Sequence, residues 1–285
     1  MEAAYYEIDP SGQARCRLCP HHCHIAQGHR GRCQSRYYDG RNLQALNYGQ
    51  CTAIALDPIE KKPLYRFHPG SAILSLGSWG CNFTCPFCQN WQISQQEAPF
   101  RELTPEQALA LALARHYRAD GSIGLAYTYN EPTLSYEFII QTARLVHEAG
   151  LVNVMVSNGY IEKEPLQALR PYIDAWNIDL KGFSQDFYQS LCGASLQPVL
   201  DTIEAAAAVS HVEVTTLVIP GENDDPAQMD AEARWLASIS PDIPLHLTRY
   251  FPQYHWSAPV TPVETLKKLQ AVASSYLHYI YLGNV

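Results

Sequence analysis

The stretch GCNFTCPFCQNW, residues 80–91, packs three thiols into eight positions, at Cys81, Cys85 and Cys88. The spacing is C-x3-C-x2-C. A bacterial ferredoxin uses a tighter C-x2-C-x2-C run and takes a fourth cysteine to saturate its cluster. Zinc sites favour two C-x2–4-C pairs separated by a longer stretch. Three ligands on one short loop suit a cubane [4Fe–4S] cluster with three irons bound by protein and the fourth open to another ligand. A zinc knuckle and three packed thiols are the competing readings. Any fold for this chain has to present these sulfurs together on one turn.

Four more of the nine cysteines form a second group, Cys16, Cys19, Cys23 and Cys33, spaced C-x2-C-x3-C-x9-C; Cys51 and Cys192 stand alone. The total is odd, and the opening MEAAYYEIDP lacks the basic-then-apolar pattern of an export signal, so metal rather than disulfides is expected. Four thiolates satisfy tetrahedral zinc or saturate an auxiliary [4Fe–4S] cluster, with His21, His22, His24 and His29 available as substitutes. No apolar run approaches the roughly 20 residues that span a bilayer. With 20 basic against 28 acidic residues the net charge is −8, which argues against a general nucleic-acid or anionic-membrane binder. A soluble, cytoplasmic protein is expected.

Residues 1–70 are dense in Cys, His, Gly and Arg and show no sustained periodicity, which sets them apart as a Cys-rich metal-binding region. From residue 71 to 285 short apolar runs alternate with amphipathic stretches. Strands are expected at 72–77, 122–128, 151–157, 175–180, 212–219, 243–248 and 278–283. Helix starts are expected at Thr104-Pro105, Glu131-Pro132 and Thr261-Pro262, where proline suits the first turn. Further helices are expected over 162–170, 197–209 and 226–238. Such alternation predicts an α/β fold with a parallel sheet, a partial (β/α) barrel of about six units. In barrels of this kind the chemistry sits on the loops that follow the strands.

The cysteine loop follows the first of those strands, and Cys81, Cys85, Phe87 and Cys88 fit C-x3-C-x-φ-C with an aromatic φ. In this it resembles the radical S-adenosylmethionine (SAM) superfamily. The resemblance implies a [4Fe–4S] cluster whose open iron binds SAM, and reductive cleavage of SAM, normally to methionine and a 5′-deoxyadenosyl radical. It implies a reductant such as flavodoxin or ferredoxin. It also implies cofactor contacts at Phe87, at Asn130 and Glu131 after the second strand, at Asn158 after the third, and at Asp179 and Lys181 after the fourth. Asn130 or Glu131 is equally suited to capping the following helix; Asn-Gly is an ordinary turn former, and Asp179 with Lys181 an ordinary ion pair. His246, Arg249 and Cys192 are candidates for contact with the substrate, a carboxylate clamp being one role open to Arg249.

Along nearly its full length the chain resembles the AmmeMemoRadiSam system radical SAM enzymes, through CRLCPHHCHIAQGHRGRC, LDPIEKKPLYRFHPGS, GCNFTCPFCQNWQIS, AYTYNEPTLSYEF, NGYI, NIDLKGFS and TTLVIPGENDD. That resemblance implies an association with Memo-like and AMMECR-like proteins. Local motifs are shared with pyruvate formate-lyase activating enzymes, so glycyl-radical activation is one alternative; transfer of a 3-amino-3-carboxypropyl group from SAM is another. A non-catalytic iron–sulfur electron-transfer protein is the alternative from a different class.

Overall fold

The computed structural model describes residues 1–117 and 121–285. Eight strands, numbered along the chain, make one sheet: β1 (Ala53–Pro58), β2 (Ala72–Gly77), β3 (Ser122–Thr128), β4 (Val152–Ser157), β5 (Ala175–Asp179), β6 (His211–Val218), β7 (Leu245–Arg249) and β8 (Ile280–Gly283). Their spatial order is β8-β7-β6-β5-β4-β3-β2-β1. β2 to β8 are parallel. β1 runs antiparallel to β2, with Ala53 opposite Gly77 and Pro58 opposite Ala72. β1 and β8 are the edges, so the sheet is an open barrel wall, α/β in class as the alternation predicts.

Strands such as VNVMVS are apolar without strict alternation because a parallel sheet is covered on both faces. Six main helices lie between the strands: α1 (Pro105–His116), α2 (Tyr136–Glu148), α3 (Lys163–Leu169), α4 (Gln197–Ala207), α5 (Pro226–Ile239) and α6 (Val263–Ala273). Thr104 caps α1 in a reciprocal box with Gln107, at 3.2 and 2.9 Å. The Glu131-Pro132 signal opens a 3-10 turn (Pro132–Ser135) that runs into α2. Phe138, Ile139, Thr142, Ala143 and Val146 then recur at helical spacing and face the core.

Ile73, Ala126, Val154 and Ala175 form an apolar floor inside the barrel, closed by Ile59 and Leu64 from the connection between β1 and β2. That connection is held by polar side chains of the wall. Asn177 Nδ2 donates to the Pro63 carbonyl at 2.9 Å. The backbone N–H groups of Tyr65 and Arg66 donate to the Glu213 carboxylate at 3.0 and 2.7 Å. Both β1 and this plug lie within the segment whose composition marks it as Cys-rich. They escape a pattern reading because inward-facing Asp57 carries its charge into the interior, where buried Lys62 meets it at 2.8 Å.

Ahead of β1 the chain forms a small head: a three-stranded antiparallel sheet (Tyr6–Ile8, Ala14–Cys16, His24–Ile25) and a strand pair (Arg36–Tyr38, Leu43–Ala45). It is pinned to the barrel by the Arg36–Glu137 ion pair at 2.8 Å and by the Glu162 N–H, which donates to the Leu18 carbonyl at 3.0 Å. No helix among the described residues is long and apolar enough to cross a membrane.

Candidate active site

The three-cysteine loop leaves the C-terminal end of β2 under close restraint. The Ser78 N–H donates to Asn130 Oδ1 at 2.9 Å, and Asn130 Nδ2 donates to the Gly80 carbonyl at 3.0 Å. Gly80 has φ +91°, and a Cβ there would stand 3.0 Å from the Cys33 carbonyl, so both conformation and space call for glycine. Beyond it the Cys88 N–H closes a turn onto the Cys85 carbonyl at 3.2 Å. Cys81 Sγ accepts from the Phe83 N–H at 3.4 Å and lies 3.7 Å from Asn158 Nδ2.

Cys81, Cys85 and Cys88 all face one cavity of about 1710 Å³, counted with its open mouth, at the C-terminal ends of the strands. The sulfurs are spread over its wall. Among the described residues no three His, Cys, Asp or Glu side chains gather closely enough to hold a single metal ion. All nine cysteines are free of disulfides. A cube that shares its corners among three separate thiolates and turns the fourth toward the cavity fits this arrangement. Burial pushes the Cys81 and Cys88 thiols above their usual range; for Cys85 the neighbouring Cys192 thiol is the foremost cause and burial the next. Thiolates here therefore need a cationic partner, which bound iron supplies.

The remaining walls hold the residues expected after each strand. Phe87, Asn130, Glu131, Asn158, Asp179 and Lys181 all line the cavity. Glu131 is buried, and its carboxylate accepts from the Thr133 N–H (3.0 Å) and hydroxyl (2.7 Å), from Ser157 Oγ (2.8 Å) and from the Asn158 N–H (2.8 Å). Burial outweighs these bonds and lifts its pKa. It caps the turn at Pro132 and walls the cavity at once. Asn130 spends its side chain on the cysteine loop, so it positions that loop. Asn158 Nδ2 also reaches Asn82 Oδ1 at 2.8 Å. Asp179 and Lys181 pair at 2.7 Å. Burial works against the Lys181 charge, but Asp179, Cys85 and Cys192 prevail and raise its pKa.

His246 and Thr248 alternate inward from β7 and line the cavity. His246 Nε2 meets Glu213 at 2.6 Å, between the rings of Tyr65 and Tyr281 at 4.8 and 5.2 Å. Glu213 is held down at about 2: burial opposes this, but hydrogen bonds from His211, His246 and the two backbone N–H groups overcome it. Arg249 points the other way. Its Nε donates to the Thr261 carbonyl at 2.7 Å and its guanidinium rests over Phe251, so strand alternation turns it away from the cavity in which a substrate carboxylate was expected. Cys192 does not line the cavity either. It is fully buried behind the loop, with its carbonyl accepting from the Thr84 N–H at 3.0 Å.

Several residues here were not anticipated. Tyr129 takes a left-handed φ of +76° at the end of β3 and donates to Asp57 at 2.6 Å. Asn223 Nδ2 bridges the Lys181 and Leu217 carbonyls, both at 2.8 Å, joining the ends of two wall strands. For Glu213 the available signal was an acid inside the apolar run VEVTTLVI.

The second cysteine group lies directly behind the first. Cys16, Cys19, Cys23 and Cys33 line a separate small hollow, together with Arg36 and Asn82.

An open parallel barrel with three cysteines on the loop after its first parallel strand describes a radical SAM fold. Residues 78–233 match the radical SAM superfamily, and the chain belongs to that superfamily. The superfamily is enzymatic and uses a [4Fe–4S] cluster and SAM with a substrate and a reductant. The chain is 43% identical to the uncharacterized protein MJ0808 of Methanocaldococcus jannaschii over 100% of its own length and 85% of that protein's. It is 26% identical to the benzylsuccinate synthase activating enzyme of Thauera aromatica, over 76% of this chain and 65% of that enzyme. A radical SAM methyltransferase from Sphaerobacter thermophilus shares the fold with a TM-score of 0.60 at 15% identity, covering 76% of this chain and 67% of that one.

Proposed function

We propose that this chain reductively cleaves SAM and turns the product on a substrate seated in the 1710 Å³ cavity. Cys81, Cys85 and Cys88 would hold the [4Fe–4S] cluster, which when bound would supply the electron that splits SAM into methionine and a 5′-deoxyadenosyl radical. The observation that carries this reading is the placement of three thiols on one loop, all facing a cavity that Cys192, the nearest fourth thiol, does not reach. Lys181 offers a cation for the methionine carboxylate, Asp179 and Asn158 offer polar contacts, and Glu131 places negative character beside the amine. The barrel wall and the plugged floor keep water from the reacting side. His246, fixed by Glu213 with its ring at the cavity wall, is the residue placed to hold or move a proton of the substrate.

From the stretches quoted above we infer a place in the AmmeMemoRadiSam branch, with Memo-like and AMMECR-like proteins as partners. Identity of 26% to a putative glycyl-radical enzyme activating enzyme of Methanocaldococcus jannaschii, over 62% of this chain and 67% of that protein, supports a second reading, abstraction from a protein partner's backbone. The Cys-rich head sets this chain apart from the simple activases.

Anaerobically reconstituted protein with dithionite and SAM is expected to release methionine and 5′-deoxyadenosine. Methylthioadenosine would move the reading to 3-amino-3-carboxypropyl transfer. A reduced-cluster EPR spectrum that ignores SAM would mean an electron-transfer protein and end the proposal.

A further inference from the structure

Residues 80, 82 and 84 of the cluster loop turn their backs on the cavity and meet the head. Gly80 lies against the Cys33 carbonyl. The Asn82 carbonyl stands 2.8 Å from His21 Nε2. Thr84 Oγ1 accepts from Arg32 Nη2 at 3.3 Å. Cys81 and Cys85, between and beyond them, face the cavity. One thickness of loop backbone thus separates two sets of cysteines.

The rear set is built to hold something. Cys16, Cys19 and Cys33 are buried and Cys23 half-buried around one small hollow. Arg36 lines the same hollow and is 1% exposed. Its two terminal nitrogens are taken by Glu137, at 2.8 and 2.9 Å, and by the Leu134 carbonyl. Its Nε, buried as well, has no partner. A buried donor left unmet costs about 1–3 kcal/mol, so an acceptor belongs in the hollow. Sulfur of a thiolate-bound cluster is such an acceptor.

The choice between metals follows from spacing. Zinc draws four sulfurs to about 2.3 Å from one point and favours two separated pairs. Here three cysteines fall within eight residues and the fourth lies ten further on. The cluster loop has the same three-in-eight spacing.

We propose that Cys16, Cys19, Cys23 and Cys33 hold a second, fully thiolate-ligated [4Fe–4S] cluster that delivers electrons to the first through the Asn82–Cys81 backbone. The relay rests on the reading that Cys81, Cys85 and Cys88 hold the first. One electron enters from a reduced ferredoxin- or flavodoxin-type protein, takes the second cluster from the 2+ to the 1+ state, and passes on to make the same change in the first. No bond forms or breaks at the second site.

The test uses the full chain, anaerobically reconstituted, with iron, sulfide and zinc analysis, Mössbauer and EPR. Wild type is expected to bind about eight irons, and the triple variants C81A/C85A/C88A and C16S/C19S/C33S about four each. The first variant keeps a reduced signal that SAM does not alter. Wild type with four irons and one zinc, or a folded C81A/C85A/C88A variant free of iron, overturns the second cluster. Fully reduced wild type is expected to show spin coupling between neighbouring clusters. In C16S/C19S/C33S, reduction of the remaining cluster by reduced flavodoxin is expected to slow about tenfold, while reduction by dithionite is unchanged. Absent coupling, or equal flavodoxin rates, overturns the relay. A SAM-insensitive signal in C16S/C19S/C33S would instead sink the first-cluster reading and leave the iron count standing.

Discussion

Arg36 of the head and Glu137 of α2 form a two-pronged ion pair, at 2.8 and 2.9 Å, with both side chains removed from water. Glu137 Oε1 also accepts from the Ala4 N–H at 2.9 Å, so a single carboxylate ties down two turns of the head. The pair decides how the rear cysteines sit on the barrel.

Breaking that pair from one side strands a buried charge. Glu137→Ala is expected to lower stability by about 3–5 kcal/mol in urea unfolding. The double change R36M/E137L, which removes both charges, is expected to recover most of the loss. An additive double variant would show that the two residues act separately.

Asn130 holds the entrance of the cysteine loop through Ser78 and Gly80. Asn130→Ala leaves the part-buried Ser78 N–H unmet and the Gly80 carbonyl with the Glu131 N–H alone, at about 1 kcal/mol. The reconstituted variant is expected to fold and to lose iron to a chelator several-fold faster than wild type, followed by the decay of cluster absorbance. Unchanged decay would remove Asn130 from the support of the loop.

The Asp179–Lys181 pair predicts a binding phenotype without a folding one. Asp179→Asn is expected to weaken SAM binding about tenfold, close to 1.4 kcal/mol, with iron content intact. Calorimetric titration of reconstituted protein measures it. Wild-type affinity would place SAM away from this pair.

Glu232, on α5, has the Thr216 hydroxyl as its hydrogen-bond partner, and burial lifts its pKa from the usual 4.5 to about 7. A carboxyl raised in the folded state holds a proton that the unfolded chain releases. Stability therefore falls as pH climbs from about 4.5 to about 7, and the cost is complete above that. Glu232→Gln is expected to match wild type near the lower end and to exceed it by up to about 3 kcal/mol at the upper, in unfolding curves across the range.

The wall of the barrel was open to reading because parallel strands leave long apolar runs; β2 and β3 fall at the expected residues, and the others within about two. The cluster loop was legible because its spacing is local. β1 was not, since Asp57 makes sense as a strand residue only beside Lys62 and Tyr129, which the chain brings to it from elsewhere. The same limit explains Arg249. Alternation was visible in LHLTR, but which phase faces inward depends on neighbours such as Glu213, 33 residues before His246. The contact of the two cysteine sets back to back has no local signature at all.

The plug between β1 and β2 has a bearing on how this protein can be divided. Wall strands far along the chain close around Pro63, Tyr65 and Arg66, so residues early in the sequence fill the shaft of the barrel. A fragment cut at residue 71 would leave the Glu213 carboxylate facing an empty shaft lined with aliphatic side chains. A boundary drawn at residue 71 therefore cuts through the barrel's own packing, which Asn177 and Glu213 extend to Pro63, Tyr65 and Arg66.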